Sequence, residues 1–170
     1  MIIATKINGD ENAKMHPFIK EIRFLTTSHL KEAKINLRFF EVLKDGSPGV
    51  DVLEKNILVT VKEGTNVNSL ILSDYNLILP EDGIFVAFEW LIIQDNLWEV
   101  EFKKNANLIN KKTWTNYEPS LGMITSPTQN TFFFLGGNWQ KSQKISEPEN
   151  NSLSSVINHW QIAVSLKLTN

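Results

Sequence analysis

His16, His29 and His159 are the only imidazoles that this chain could offer to a proton transfer or a metal. Histidine catalysis needs an oriented partner and a reacting group within hydrogen-bond reach. None of the three lies in a motif that supplies one, and there is no Gly-x-Ser-x-Gly elbow for a serine nucleophile. The spacings that hold zinc, His-x-x-x-His and His-Glu-x-x-His, are also absent. With no cysteine in the chain, thiolate ligands, cysteine nucleophiles and disulfides are excluded. Hard oxygen atoms on turns are the remaining route to a metal. Asp10-Glu11-Asn12, Asp45 and Glu81-Asp82 could serve calcium, because backbone carbonyls can join them there. The same residues are ordinary turn formers, and the sequence is read as needing no metal and no cofactor. There is no glycine-rich phosphate loop; Gly136-Gly137 follows an apolar run and reads as a tight turn.

Paired carboxylates for glycoside hydrolysis would have to face one cleft. Glu41, Glu89, Glu99 and Glu101 fall on or near expected strands, but only Glu89 interrupts a strongly apolar run, Ile84 to Ile93. A carboxylate in such a run must find a partner or shift its pKa. Arg38, the basic residue of another apolar strand, is the natural one. Their pairing reads as a structural ion pair or as the polar anchor of a ligand cleft. A hydrolase or lyase would have to be built on Glu89 and His159, with no motif for either.

The chain has five tryptophans. Trp90 and Trp160 sit within apolar strands and are expected to pack. Trp98, Trp114, Tyr117 and Trp139 lie in a less regular region, where they either cap the ends of the fold or stay exposed. Exposed rings beside polar groups stack on sugars or anchor a protein partner, and Asn116, Asn138 and Gln140 are at hand to hydrogen-bond hydroxyls. The candidate ligand-binding residues are therefore Trp114, Tyr117, Trp139, Arg38, Glu89 and His159. No residue is assigned a catalytic or metal-binding role.

Strands must position all of these. Ile35, Leu37 and Phe39 alternate with Asn36, Arg38 and Phe40, and period two is the mark of a half-buried strand. Strands are expected at Ile2 to Ile7, Phe18 to Thr26 (Phe18, Ile22 and Phe24 inward), Ile35 to Leu43, Ile57 to Val61, Val67 to Leu72 and Ile84 to Ile93. Others are expected at Leu97 to Phe102, Trp114 to Tyr117, Leu121 to Ile124, Thr131 to Leu135 and Ile157 to Leu168. In the last, Trp160, Ile162, Val164, Leu166 and Leu168 share one face, and His159, Gln161, Ser165 and Lys167 the other. Ser28 to Ala33 reads as a short connection with a helical turn. Lys103 to Lys112 and Lys141 to Ser155 are polar and read as surface loops. Many short strands with turn signals between them predict an all-β antiparallel sandwich of two sheets, jelly-roll or galactose-binding-domain-like, over residues 1–170 as one domain. Unequal loops favour Greek-key connectivity over a meander.

Bulk properties narrow the partners. A hydrophobic fraction of 42% and a charged fraction of 21% suit a globular fold. A net charge of −2 provides no basic field, so nucleic acid is not an expected partner. No run approaches the roughly 18–20 apolar residues of a membrane-spanning helix. The first residues lack the basic leader and the apolar core of about 7–15 residues that make a secretion signal. A cytoplasmic protein, or a piece of a longer exported one, is expected.

Three segments carry a resemblance. They are Ile35-Asn36-Leu37-Arg38-Phe39-Phe40-Glu41-Val42 with Asp45-Gly46-Ser47-Pro48-Gly49 and Asp51-Val52-Leu53; Asn56 to Gly64 followed by Leu72-Ser73-Asp74-Tyr75-Asn76-Leu77; and Pro80-Glu81-Asp82-Gly83-Ile84-Phe85-Val86-Ala87-Phe88-Glu89-Trp90. In order and spacing they resemble the C-terminal β-sandwich of bacterial carboxypeptidase-like regulatory domain proteins, common in Gram-negative bacteria with elaborate outer surfaces. The resemblance covers Ile19 to Trp90 well, and Leu121 to Trp139 and the last strand more loosely. The transthyretin-like sandwich that often precedes the module in that family would have to lie before Met1, and Lys141 to Ser155 is long for it. Despite its name the family is not a peptidase and transfers no catalytic residue. What the resemblance implies is a jelly-roll-like, non-catalytic module of the cell envelope or surface, with a protein or a glycan as partner.

Overall fold

The computed structural model describes residues 1–102, 112–144 and 159–170, with the side chains of 101, 102 and 112 excepted. The strands are β1 (Ile2–Ile7), β2 (Phe18–Val42), β3 (Pro48–Asp51), β4 (Ile57–Ile71), β5 (Ile84–Trp90), β6 (Leu97–Phe102), β7 (Lys112–Tyr117), β8 (Ser120–Leu121), β9 (Met123–Ser126), β10 (Thr131–Leu135), β11 (Asn138–Lys141), β12 (His159–Ile162) and β13 (Val164–Thr169). One short helix, α1 (Glu11–Met15), lies in the polar stretch after β1, with Asp10 as its N-cap: the Ala13 amide donates to Asp10 Oδ1 at 2.9 Å. No described helix is long and apolar enough to cross a membrane. The loop expected at 103–112, but for Lys112, which opens β7, and most of that expected at 141–155 lie outside the described residues.

The organising element is β2, a single strand of 25 residues where two strands and a helical turn were expected. One of its edges pairs with β4 and then β3; the other pairs with β13, β8 and β5 in turn. The stretch Ser28–Glu32 is not helical but a register shift in the β2–β4 ladder, and such irregularities bend a strand. The Ser28 hydroxyl serves the backbone there, accepting from the Leu30 amide at 3.1 Å. Opposite Ser28 stands Gly64, whose φ of +86° a side chain would disfavour, so β4 turns the same corner without ending at Glu63-Gly64.

The bend folds one sheet into two layers. Phe24, from the first half of β2, meets Phe88, beside its second half, with ring centroids 4.7 Å apart. Between the layers lies the main core, including Ile3, Ile19, Ile22, Phe24, Ile35, Leu37, Phe39, Val61, Val86, Phe88 and Ile162. The expectation of an all-β antiparallel sandwich is met. Phe18, placed inward by simple alternation, is instead 39% exposed, and Ile19 is buried at 1%. The cause is a bulge in the β2–β13 pairing: Glu21 faces Lys167 but Ile19 faces Leu168, which shifts the phase by one.

A second core lies on the opposite face of the main sheet. There Ile2, Ala4, Phe40, Phe85, Ala87 and Phe132 are buried. Trp139 on β11 packs on Phe40 of β2 at 5.3 Å between ring centroids, although β10, β1 and β5 separate the two strands. Across a flat sheet they would stand about 19 Å apart. The sheet therefore curls around this apolar strip, nearly closing, with Ala4 and Ala87 leaving room for the rings.

The described part of the last strand expected, Ile157 to Leu168, is two strands. β12 pairs with β9 and β13 with β2, and the chain changes partners at Ala163, whose amide donates to Gly122 O at 2.9 Å. Gly122 breaks the other strand expected there, separating β8 from β9. A Cβ on it would sit 2.5 Å from the Leu25 side chain, so only glycine fits the crossing. Likewise β5 ends at Trp90, leaving Ile92 64% exposed.

Candidate functional site

Two short ribbons leave the main sheet and lie over the face that carries Ile3. One is the β9–β12 pair, anchored by fully buried Ile162, whose amide donates to Thr5 Oγ1 at 3.2 Å. The other is the β6–β7 pair. Between them opens a cleft of about 470 Å³. Its floor is Ile3, Trp90 and Phe133; Met123 and Trp160 wall one side, and Asn116, Tyr117, Ser120 and Leu121 the other, with Met1 at the end. Trp90 is fixed by its indole N–H, which donates to Pro119 O at 2.7 Å. Trp160 is 46% exposed. Among the described residues no charged side chain lines the cleft; Ser120 and Tyr117 bring hydroxyls to it, and Asn116, its side chain on the other face of β7 from Tyr117, borders it.

The residues singled out from sequence do not converge. Tyr117 lines the cleft, together with Trp90 and Trp160, which were expected to be packing residues. Trp114 is 66% exposed, on the opposite face of β7 from Tyr117, since three residues separate them along a strand. Trp139 is half-buried against Phe40 and Phe134 in the second core. Arg38 and Glu89 meet at 3.3 Å on that same curled face, where Asp51 also takes Arg38 Nε at 2.7 Å. Glu89 Oε2 further accepts from Asn36 Nδ2 at 3.0 Å. Asn36 is buried, and its Oδ1 has no hydrogen-bond partner among the described residues. Arg38 also lies over the Phe40 ring, 5.0 Å from its centroid.

His159 was placed on an outward face but is 5% exposed, with Nδ1 unpaired among the described residues. It sits on β12, over the Thr5 face of β1, whereas Glu89 faces Ile2 on the other side of the same sheet. The sheet itself therefore separates His159 from the Arg38–Glu89 pair. His16 Nδ1 contacts Asn170 Oδ1. Of the turn carboxylates, Asp10 caps α1, and Asp45 Oδ1 accepts from the hydroxyl and the amide of Ser47, bonds that hold its pKa below the usual carboxylate value. Among the described residues there is no group of three or more His, Cys, Asp or Glu placed to hold a metal.

One pair had no signal in the sequence. Glu118 is buried at 1%, and its Oε1 lies 2.9 Å from Nδ1 of His29, whose side chain is 55% exposed. The His29 ring stacks on Trp98 at 4.1 Å and 17°. Beneath them Asn96, fully buried, uses its side-chain amide like a strand partner. Its Oδ1 accepts from Lys34 N at 2.7 Å, and its Nδ2 donates to Lys34 O at 2.7 Å and to Leu91 O at 3.0 Å.

Glu21 is the other buried carboxylate among the described residues. Arg23 Nε and Ser69 Oγ both donate to it at 2.6 Å. The Arg23 bond first, then the Ser69 bond, lower its pKa below the ordinary 4.5, against the opposing effect of burial. A depressed folded-state pKa means that the ionised form stabilises the fold above the unfolded value and that this contribution is lost as pH falls through the folded value. Urea melts of wild type and Glu21→Gln should therefore differ at pH 7, with the variant weaker. The gap should narrow as pH drops below about 4.5 and vanish in stronger acid. A gap independent of pH would refute the assignment.

Searches of family models, curated proteins and solved structures find no match to this chain.

Proposed function

We propose that this chain is a non-catalytic binding module, an accessory sandwich of a bacterial envelope or surface assembly, which receives an apolar side chain of a protein partner in the cleft between Trp90, Tyr117 and Trp160. The observation that carries the reading is the composition of the cleft: aromatic and aliphatic walls with hydroxyls at the side and, among the described residues, no charged side chain. Such a site takes an anchor residue and leaves orientation to a few hydrogen bonds. Support for the envelope setting comes from the order and spacing of the segments between Ile19 and Trp90, which resemble the surface-protein sandwich named above.

The test is selection from a displayed random peptide library, followed by calorimetric titration of an enriched peptide. Peptides with a shared large apolar residue are expected. Trp160→Ala should weaken them roughly 30-fold, about 2 kcal/mol, as loss of a hot-spot contact does. No enrichment, or equal affinity for Trp160→Ala, would overturn the reading. A glycan ligand is the second reading, favoured by the Ser120 hydroxyl in the same cleft as Tyr117. A glycan array answers it: signal lost in Tyr117→Ala would establish it, and silence across the array would remove it.

A further inference from the structure

We propose that the outer edge of β4, from Val67 to Ile71, is a dimerisation surface that pairs antiparallel with the same edge of a second copy of this chain. β4 runs for 15 residues and pairs, among the described strands, only with β2. Every second residue of such a strand turns its backbone N–H and C=O away from the sheet, where another strand can meet them. Proteins blunt such edges by keeping them short or by charging them. The other outer strands of the main sheet follow that rule: β3, β8 and β11 have no more than four residues each, and β13 carries Lys167. β4 follows it only at its corner. There Lys62 and Glu63 are charged, and Asn66 Nδ2 donates to the carbonyls of both, at 3.2 and 2.9 Å. Beyond the corner, Thr65 to Ser73 contains no charge, no proline and no glycine. Apart from the ladder to β2, no described group bonds to the backbone of Val67–Ile71.

The exposed side chains of this edge are complementary to themselves. Val67 is 71% exposed and Ile71 58%, and with Ser69 between them they share one face of β4. In a two-fold antiparallel pair Val67 stands opposite Ile71 of the second copy, and Ser69 meets its own counterpart on the axis. On this register Thr65 to Ser73 meets only neutral residues, and Glu63 and Asp74 fall outside the paired stretch. Arg23, opposite Ser69 on β2, is held by Glu21 at 2.6 Å. Three strand spacings, about 14 Å, would separate it from its counterpart, more than a Debye length of about 8–10 Å. Charge therefore does not oppose the pair. A five-residue edge is small against a standard interface of about 1,600 Å², so the dimer is weak, with a Kd of roughly 10–100 µM. Each copy spends the same edge, so assembly stops at two. The edge lies on the side of β2 away from β5 and β8, which bring Trp90 and Leu121 to the cleft, and its pairing does not depend on the cleft reading.

Analytical ultracentrifugation of the whole chain from roughly 1 µM to 1 mM tests the proposal. Wild type is expected to pass from monomer to dimer across that range and to go no further. Val67→Lys and Ile71→Lys, both at exposed positions, should each raise the dimer Kd at least roughly ten-fold, since a lysine on an edge strand resists a second strand. Leu135→Lys removes an exposed apolar side chain from β10 instead and should leave the Kd unchanged. Circular dichroism and urea midpoints should match wild type in all three variants. In wild type, hydrogen exchange of the amides of Val67–Ile71 should slow as the concentration rises, while that of Ile84–Phe88 stays constant. A chain that remains monomeric at roughly 1 mM, or that grows beyond a dimer, would overturn the proposal. So would a dimer that both edge lysines leave intact, or exchange at Val67–Ile71 that ignores concentration.

Discussion

Asn96→Ala is expected to lower the free energy of unfolding by about 3–5 kcal/mol, because each buried backbone group stripped of its partner costs about 1–3 kcal/mol. The amide of Asn96 satisfies Lys34 N, Lys34 O and Leu91 O together, and the residue is fully enclosed. Alanine would leave those groups dry and unpaired, and the void is too hemmed in for full rehydration. Asn96→Asp is the sharper comparison. It keeps an acceptor for Lys34 N but turns a carboxylate oxygen toward the Lys34 and Leu91 carbonyls, so the loss should be at least as large. Chemical denaturation followed by tryptophan fluorescence measures both. A loss under about 1 kcal/mol would mean that the amide's bonds to β2 do not form.

Phe39→Ala should cost about 3–5 kcal/mol, the range for removing a buried aromatic from a packed core. Phe39 is fully buried between the layers, opposite Val86 on β5. Phe18→Ala provides the control from the same strand: its ring is 39% exposed, and surface substitutions generally stay within about 0.5 kcal/mol. Equal costs for the two variants would mean that the phase of β2 is misassigned on one side of its bulge.

These two sites differ in how far the sequence foretells them. Phe39 follows from alternation, and β1, β6 and β10 run over the residues where strands are expected from sequence. Asn96 does not, because nothing local distinguishes a clamping asparagine from the many other asparagines in the chain. The continuity of β2 was hidden for a related reason. Ser28 to Glu32 is polar where an apolar face would be needed for alternation to show, and the bend that tolerates those residues depends on Gly64, far along the chain. Trp90 and Trp160 sit in apolar strands, so sequence reasoning assigned them to packing. They line a cleft because the two ribbons that flank it are set by pairings between distant segments. Glu118 was invisible because its partner, His29, comes from the corner that sequence reading took for a loop. The Arg38–Glu89 pairing, by contrast, could be anticipated from chemistry alone: Glu89 is the one ion in its apolar strand, and Arg38 is the basic residue of the apolar stretch Ile35 to Leu43.

Because β2 runs through both layers, neither can be removed while the other is kept. A nick between Ser28 and Glu32 would sever the ladder to β4 and part the strand's β13-bound half from its β5-bound half in one stroke. Cooperativity is thus written into a single stretch of backbone, and the molecule should melt as one unit. Assembly must await contacts between segments remote along the chain, which makes slow folding the natural cost of this spine.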